Sequence, residues 1–259
     1  FALVVSACAP AVSTGPDVST GPDAALARAD VPRASTAPAD ASAAAAAINA
    51  FGLDLYRQIV AGTPNAVFSP ASIALALGMA RAGARGQTAA EMDAVLRSLA
   101  SDEHAGWLNA LDQALATRSG TFQDMSGEAL PVALRIANAP FAQRGMPLEP
   151  AYLEALAARY GAGLRLVDYV ADTEGARQLI NGWVADQTEQ RIPELLVPGV
   201  LTPQSRLTLV NAIYLKAPWL EPFAVEATEP GTFTRGAGTT VQVPLMAASA
   251  VLPSASGAG

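Results

Sequence analysis

Apolar residues recur with a helical period early in the chain. Ile48, Phe51, Gly52, Leu55, Tyr56 and Ile59 fall at i, i+3, i+4, i+7, i+8 and i+11, which predicts a one-faced helix stopped by Gly62-Thr63-Pro64-Asn65. Ser69 then stands before Pro70, the order of an N-cap followed by a first-turn proline. The helix it opens, with Ile73, Leu75, Leu77 and Met79, is apolar on every side, as a helix in the middle of a core is. Arg81-Ala82-Gly83-Ala84-Arg85-Gly86 interrupts it. Thr88 and Glu91 have the spacing of a capping box ahead of Met92, Val95 and Leu96, and Trp107, Leu108, Leu111 and Leu115 mark a fourth helix. With Asp102 and Glu103 before it, His104 reads as a solvated residue at the start of that helix.

The pattern changes after this. Val132, Leu134 and Ile136 alternate with Ala133, Arg135 and Ala137, the period of a strand. A helix through Tyr152, Leu153, Leu156 and Tyr160 ends at Gly161-Ala162-Gly163, and Leu164, Leu166 and Val167 suggest another strand. From Thr173 to Gln190 the residues Ala176, Leu179, Ile180, Trp183 and Val184 share one face, so this helix should lie across something flat. Leu207 to Tyr214 is apolar or small on both faces apart from Thr208 and Asn211, as a strand covered on both sides is. Short strands follow at Thr232-Phe233-Thr234 and from Thr239 to Met246. Helices first and strands later, without regular βαβ alternation, predict an α+β fold.

The ends of the chain have a different character. Phe1-Ala2-Leu3-Val4-Val5-Ser6-Ala7 reads as the end of a signal segment, and Val5-Ser6-Ala7-Cys8 resembles the lipobox of bacterial lipoproteins, which would make Cys8 the lipidation site. The alternative is a buried terminal strand with an incidental cysteine. Residues 8–42 are rich in Pro, Ser, Thr, Asp and Ala and carry the near-repeat Ser13-Thr14-Gly15-Pro16-Asp17 and Ser19-Thr20-Gly21-Pro22-Asp23. Such a stretch buries too little apolar surface to offset the entropy of ordering it, so it reads as a disordered, lipid-anchored linker, with the globular region over 43–259.

Composition narrows the chemistry. A formal net charge of −7 gives no electrostatic support for a nucleic-acid partner. One histidine and one cysteine exclude disulfide frameworks, Cys/His metal sites and any Ser-His-Asp triad not built on His104. We expect no catalytic residue, no cofactor and no metal.

Four segments in order carry a family resemblance. Asn65-Ala66-Val67-Phe68-Ser69-Pro70-Ala71-Ser72-Ile73, followed by Gly83-Ala84-Arg85-Gly86-Gln87-Thr88, resembles the first core helix of the serpins and its exit. Asn181-Gly182-Trp183-Val184 with Thr188 and Ile192 is similar to their helix over the main sheet. Val210-Asn211-Ala212-Ile213-Tyr214-Leu215-Lys216-Ala217-Pro218-Trp219 with Pro222-Phe223 resembles the central strand and the turn after it. Val243-Pro244-Leu245-Met246 resembles the strand that follows. Leu215, where the family usually has an aromatic residue, and Ala217-Pro218, in place of a Gly-containing turn, depart from the pattern.

The resemblance implies helices packed on a large central sheet with smaller sheets beside it, C-terminally incomplete. It also implies a suicide inhibitor of serine, and in some members cysteine, proteases, whose cleaved loop inserts as a new strand. By resemblance, Ser69, Ser72 and Asn211 form a polar cluster under the sheet that governs its opening, and Trp219 stands where the loop first enters. Plain readings remain beside these: an N-cap for Ser69, a satisfied local hydrogen bond for Asn211, core packing for Trp219. The chain is expected to stop before the reactive loop, so the reactive bond is not in it. It is expected to expose an apolar, unpaired edge along Leu207 to Tyr214 and hence to associate. The partners implied are a protease and, through Cys8, a membrane, with the protein at the cell surface. The competing readings are a non-inhibitory serpin-fold binding module, an inactive fragment, and an envelope lipoprotein that captures small solutes.

Overall fold

The computed structural model describes residues 2–5, 25–60, 66–98, 101–123, 127–219, 222–236 and 238–248. In chain order the elements are β1 (Ala2–Val5), β2 (Ala25–Ala27), α1 (Pro38–Val60), α2 (Pro70–Gly83), α3 (Gly86–Leu96), α4 (Ser101–Ala116), β3 (Gly120–Gln123) and β4 (Ala129–Gln143). Then follow α5 (Pro150–Tyr160), β5 (Leu164–Val167), α6 (Thr173–Gln187), β6 (Leu207–Lys216), β7 (Glu229–Thr234) and β8 (Thr240–Leu245). They fall into two units, Phe1–Ser119 with Leu134–Leu215 and Gly120–Ala133 with Lys216–Gly259.

In the first unit α2 is the central helix, and its origin is local. Ser69 is extended, its Oγ accepts from the Ser72 N–H at 3.3 Å, and Pro70 fills the first turn, where no N–H is needed. Ser72 to Ala76, Gly78 and Met79 are all buried, as the unbroken apolar pattern requires. Helix α1 closes on it at Gly52, where even a Cβ would come within 2.7 Å of the Pro70 ring. Ile48 and Phe51 then join Ile73, Leu75, Leu96 and Leu108 in one core cluster.

The sheet of this unit runs β1-β6-β4-β5-β2. Strands β4 and β5 are parallel, with Phe141 opposite Arg165 and Gln143 opposite Val167. The amphipathic helix α6 lies on this flat surface. Asp172 caps it by accepting from Gly175 N–H at 2.8 Å, and its Ala176, Ile180 and Val184 pack with Phe141, Val210 and Ala212 from the strands. Trp183 meets Phe141 edge-on at 5.8 Å and takes the Arg165 guanidinium over its ring, a packing role.

Four expectations are corrected here. Helix α3 starts at Gly86 and not at a Thr88–Glu91 capping box: Arg85 is the N-cap without a side-chain bond, and Glu91 accepts instead from the Gln87 amide at 2.8 Å. His104 is not solvated. Because α4 begins at Ser101, His104 lies a full turn inside the helix at i−4 from Leu108, and it is 3% exposed with Trp107 edge-on at 6.0 Å.

The linker expectation fails for its second half. Ala25–Ala27 pairs antiparallel with β5. Arg33 donates to Asn109 Oδ1 at 2.8 Å and Asp112 Oδ2 at 2.6 Å, Ala34 bonds α5 through the Ala158 carbonyl, and α1 already begins at Pro38. Composition signalled disorder, but these residues borrow partners from α4, α5 and β5. Finally, the outer edge of β6 is paired over residues 207–210, the first half of the segment expected to be open. Ala2–Val5 runs antiparallel along it, with Ala2 opposite Val210 and Val5 opposite Leu207. Residues 6–24, including Cys8, lie outside the described residues.

In the second unit, β3 pairs antiparallel with the first residues of β4, with Gly120 opposite Val132 and Gln123 opposite Ala129. Strands β7 and β8 form an antiparallel pair in register from Glu229 opposite Leu245 to Thr234 opposite Thr240.

Candidate functional site

The start of α2 and the middle of β6 bring three of the residues singled out in the sequence around one cavity of about 380 Å³. Ser69 and Ser72 enter from the helix and Asn211 from the strand, among Phe68, Ile73 and Ile213. Ser72 and Asn211 are 3% and 4% exposed, so the desolvation of their polar groups must be offset by hydrogen bonds. The Ser72 hydroxyl donates to Ser69 Oγ at 3.0 Å. Asn211 finds its partner in the neighbouring strand, where its Nδ2 donates to Asn138 Oδ1 at 2.7 Å. The serine pair and Asn211 face the same space without bonding one another.

Asn138 is the residue the sequence reading missed. It is an amide inside an apolar strand, the same signal that singled out Asn211. A second contact of this kind lies three residues back along β6. The Tyr169 hydroxyl donates to the Phe141 carbonyl at 3.1 Å and lies 2.9 Å from Thr208 Oγ1. Burial pushes its phenol up to about 12, with the Thr208 contact pulling the other way.

The connection from α6 to β6 is fastened by Asn181. Its Oδ1 accepts from the Leu195 and Leu196 N–H groups at 3.1 and 2.8 Å, and its Nδ2 donates to the Leu196 carbonyl at 2.9 Å. Arg177 reinforces this fastening, reaching Glu194 at 2.7 Å and the Leu196 carbonyl at 2.6 Å.

The groups at this site are amides and hydroxyls, which both donate and accept hydrogen bonds. Neither serine has a histidine or carboxylate hydrogen-bonded to it among the described residues, and no group of three or more His, Cys, Asp or Glu side chains there could hold a metal. Trp219 lies in the second unit, 66% exposed, edge-on to Phe223 at 5.4 Å. Cys8 lies outside the described residues.

Fold and site thus define an α+β protein with a helix-backed sheet and a cavity lined by Ser69, Ser72 and Asn211. Comparison with known proteins gives the same class a name. Residues 46–257 match the family model for serpins (serine protease inhibitors). Leukocyte elastase inhibitor from Bos taurus is 37% identical over 205 residues, 78% of this chain and 51% of that protein. Serpin-Z2A from Oryza sativa subsp. japonica is 34% identical over 204 residues, covering 77% and 46%. Among solved structures, ovalbumin from emu (Dromaius novaehollandiae) superposes with a TM-score of 0.69 at 26% identity, covering 78% of this chain and 54% of its own. A cleaved Serpin 42Da gives 0.66 at 32% identity, covering 81% and 53%. The chain belongs to the serpin family and has the serpin fold. It spans about half the length of the curated relatives it matches.

Proposed function

We propose that the chain forms the N-terminal portion of a protease inhibitor, not an enzyme. Its targets are serine, and in some cases cysteine, proteases, trapped by insertion of a cleaved loop as a new strand in the main sheet. The observation that carries this reading is the Asn211–Asn138 bond between β6 and β4, set over the cavity that Ser69 and Ser72 line. As strands part to admit another, their buried side-chain polar groups must find new partners, and amides and hydroxyls, which both donate and accept, are able to. Strand addition then supplies a new ladder of hydrogen bonds. The 37% identity to a leukocyte elastase inhibitor supports a serine protease as the target.

In this reading Ser69, Ser72 and Asn211 govern opening, Trp219 stands where the loop enters, and Cys8 is the lipidated residue that holds the protein at the cell surface. The attacking hydroxyl belongs to the protease. The test is to incubate the complete inhibitor, and this chain alone, with elastase- and trypsin-class proteases and run denaturing gels. The complete inhibitor should form a denaturation-resistant complex and the chain alone none. Cleavage of the complete inhibitor without a trapped complex would leave a non-inhibitory module as the answer. Cys8→Ala should move the protein from the membrane to the soluble fraction, and unchanged partitioning would remove the tether.

A further inference from the structure

A second cavity, of about 530 Å³, shares no lining residue with the polar cluster. It lies between the end of α2, the start of α3, α4 and α5, and its size is that of a small-molecule site. Small side chains open it. Ala151, Ala155 and Ala158 recur at i, i+4 and i+7 on α5 and give it one wall, with Ala89 and Ala105 on α3 and α4. Below them the packing is tight: a Cβ at Gly78 would come within 2.6 Å of Leu108 Cδ1 and 2.9 Å of the Tyr160 hydroxyl.

The rim carries three guanidinium groups and one carboxylate, Arg81, Arg85, Arg159 and Glu154. They are not equivalent. Arg81 is committed to Asp93, with its Nε and Nη2 on the two carboxylate oxygens at 2.7 and 2.8 Å. Arg85 donates only to the backbone carbonyls of Ala82 and Ala84, at 2.9 and 2.8 Å, and meets no carboxylate. Arg159 makes no hydrogen bond or ion pair with any described residue. Two guanidinium groups lining the cavity therefore have no carboxylate partner among the described residues. Helix α3 begins at the same wall without a side-chain cap, which adds its positive end to the field.

We propose that this cavity binds a small organic monoanion. Its carboxylate would sit between Arg85 and Arg159 beside the start of α3, and its apolar body would lie against the alanines. Two guanidinium groups that meet no carboxylate among the described residues match one carboxylate. The Glu154 carboxylate on the rim disfavours a more highly charged head such as a polyphosphate, and the alanine wall favours an apolar body. This site is independent of the strand-insertion reading.

The test titrates the full chain, by saturation-transfer NMR and calorimetry, with three probes: phenylbutyrate, its neutral amide and inorganic phosphate. The acid should saturate, with the amide and phosphate at least about tenfold weaker. Arg85→Gln and Arg159→Gln should each weaken the acid by about three- to tenfold, and Ala155→Phe, which puts a ring where the apolar body would lie, should weaken it by at least about tenfold. If Ala155→Phe does not fold, the two arginine variants carry the test. No saturable binding, an amide or phosphate as good as the acid, or arginine variants with unchanged affinity would each overturn the proposal.

Discussion

At 3% exposure, with neither ring nitrogen hydrogen-bonded, His104 is kept neutral by the fold. Burial moves its pKa below 6.5, and the nearby Asp93 carboxylate, itself paired with Arg81 from α2, opposes the shift. The unfolded chain takes up a proton below about 6.5 that the folded chain refuses. Stability from this residue is therefore complete above that pH and is lost as pH falls, by up to about 1.4 kcal/mol per pH unit. His104→Leu should flatten the urea-midpoint profile between pH 7 and pH 5, and a profile as steep as the parent's would show that His104 is not the source. Its misreading from sequence has a physical origin. The acidic neighbours Asp102 and Glu103 suggested solvent, whereas the helical spacing from His104 to Leu108 and Leu111 set its face. Ser69 was legible because a cap is decided within three residues. The Asn211–Asn138 bond was not, because it joins residues 73 apart, and strand neighbours are not written in local pattern.

Between elements, α1 comes close against α2 at Gly52, where a Cβ would meet the Pro70 ring at 2.7 Å. Its neighbour Leu53 is 59% exposed, so two adjacent positions on one helix should differ sharply in their sensitivity to substitution. Gly52→Val should lower unfolding free energy by about 2 kcal/mol, because the Pro70 ring cannot turn aside. Leu53→Ala should change it by less than about 0.5 kcal/mol. Chemical denaturation of both variants checks this, and a Gly52→Val protein as stable as the parent would mean the helices separate freely. The helix itself was legible from its one-faced pattern. The closeness of its partner was not, since a glycine in a helix announces an approach without saying to what.

For the molecule as a whole, the strand that most needs covering is β6, apolar on both faces and paired along residues 207–210 by Ala2–Val5. A chain beginning at Cys8 loses β1 and leaves that row of backbone groups open, the usual template for association. Light scattering should show concentration-dependent oligomers for this truncated chain and fewer for the full one. Equal behaviour would mean that β1 protects nothing.

The docking of Ala25–Ala27 and Arg33 onto the body also changes a length. A leash running free from Cys8 to residue 43 could extend about 120 Å, whereas one held at Ala25 can extend at most about 60 Å. If Cys8 is seated in a bilayer, the folded body would patrol a shell half as deep. Its encounters would then be confined to proteases that come close to the membrane surface.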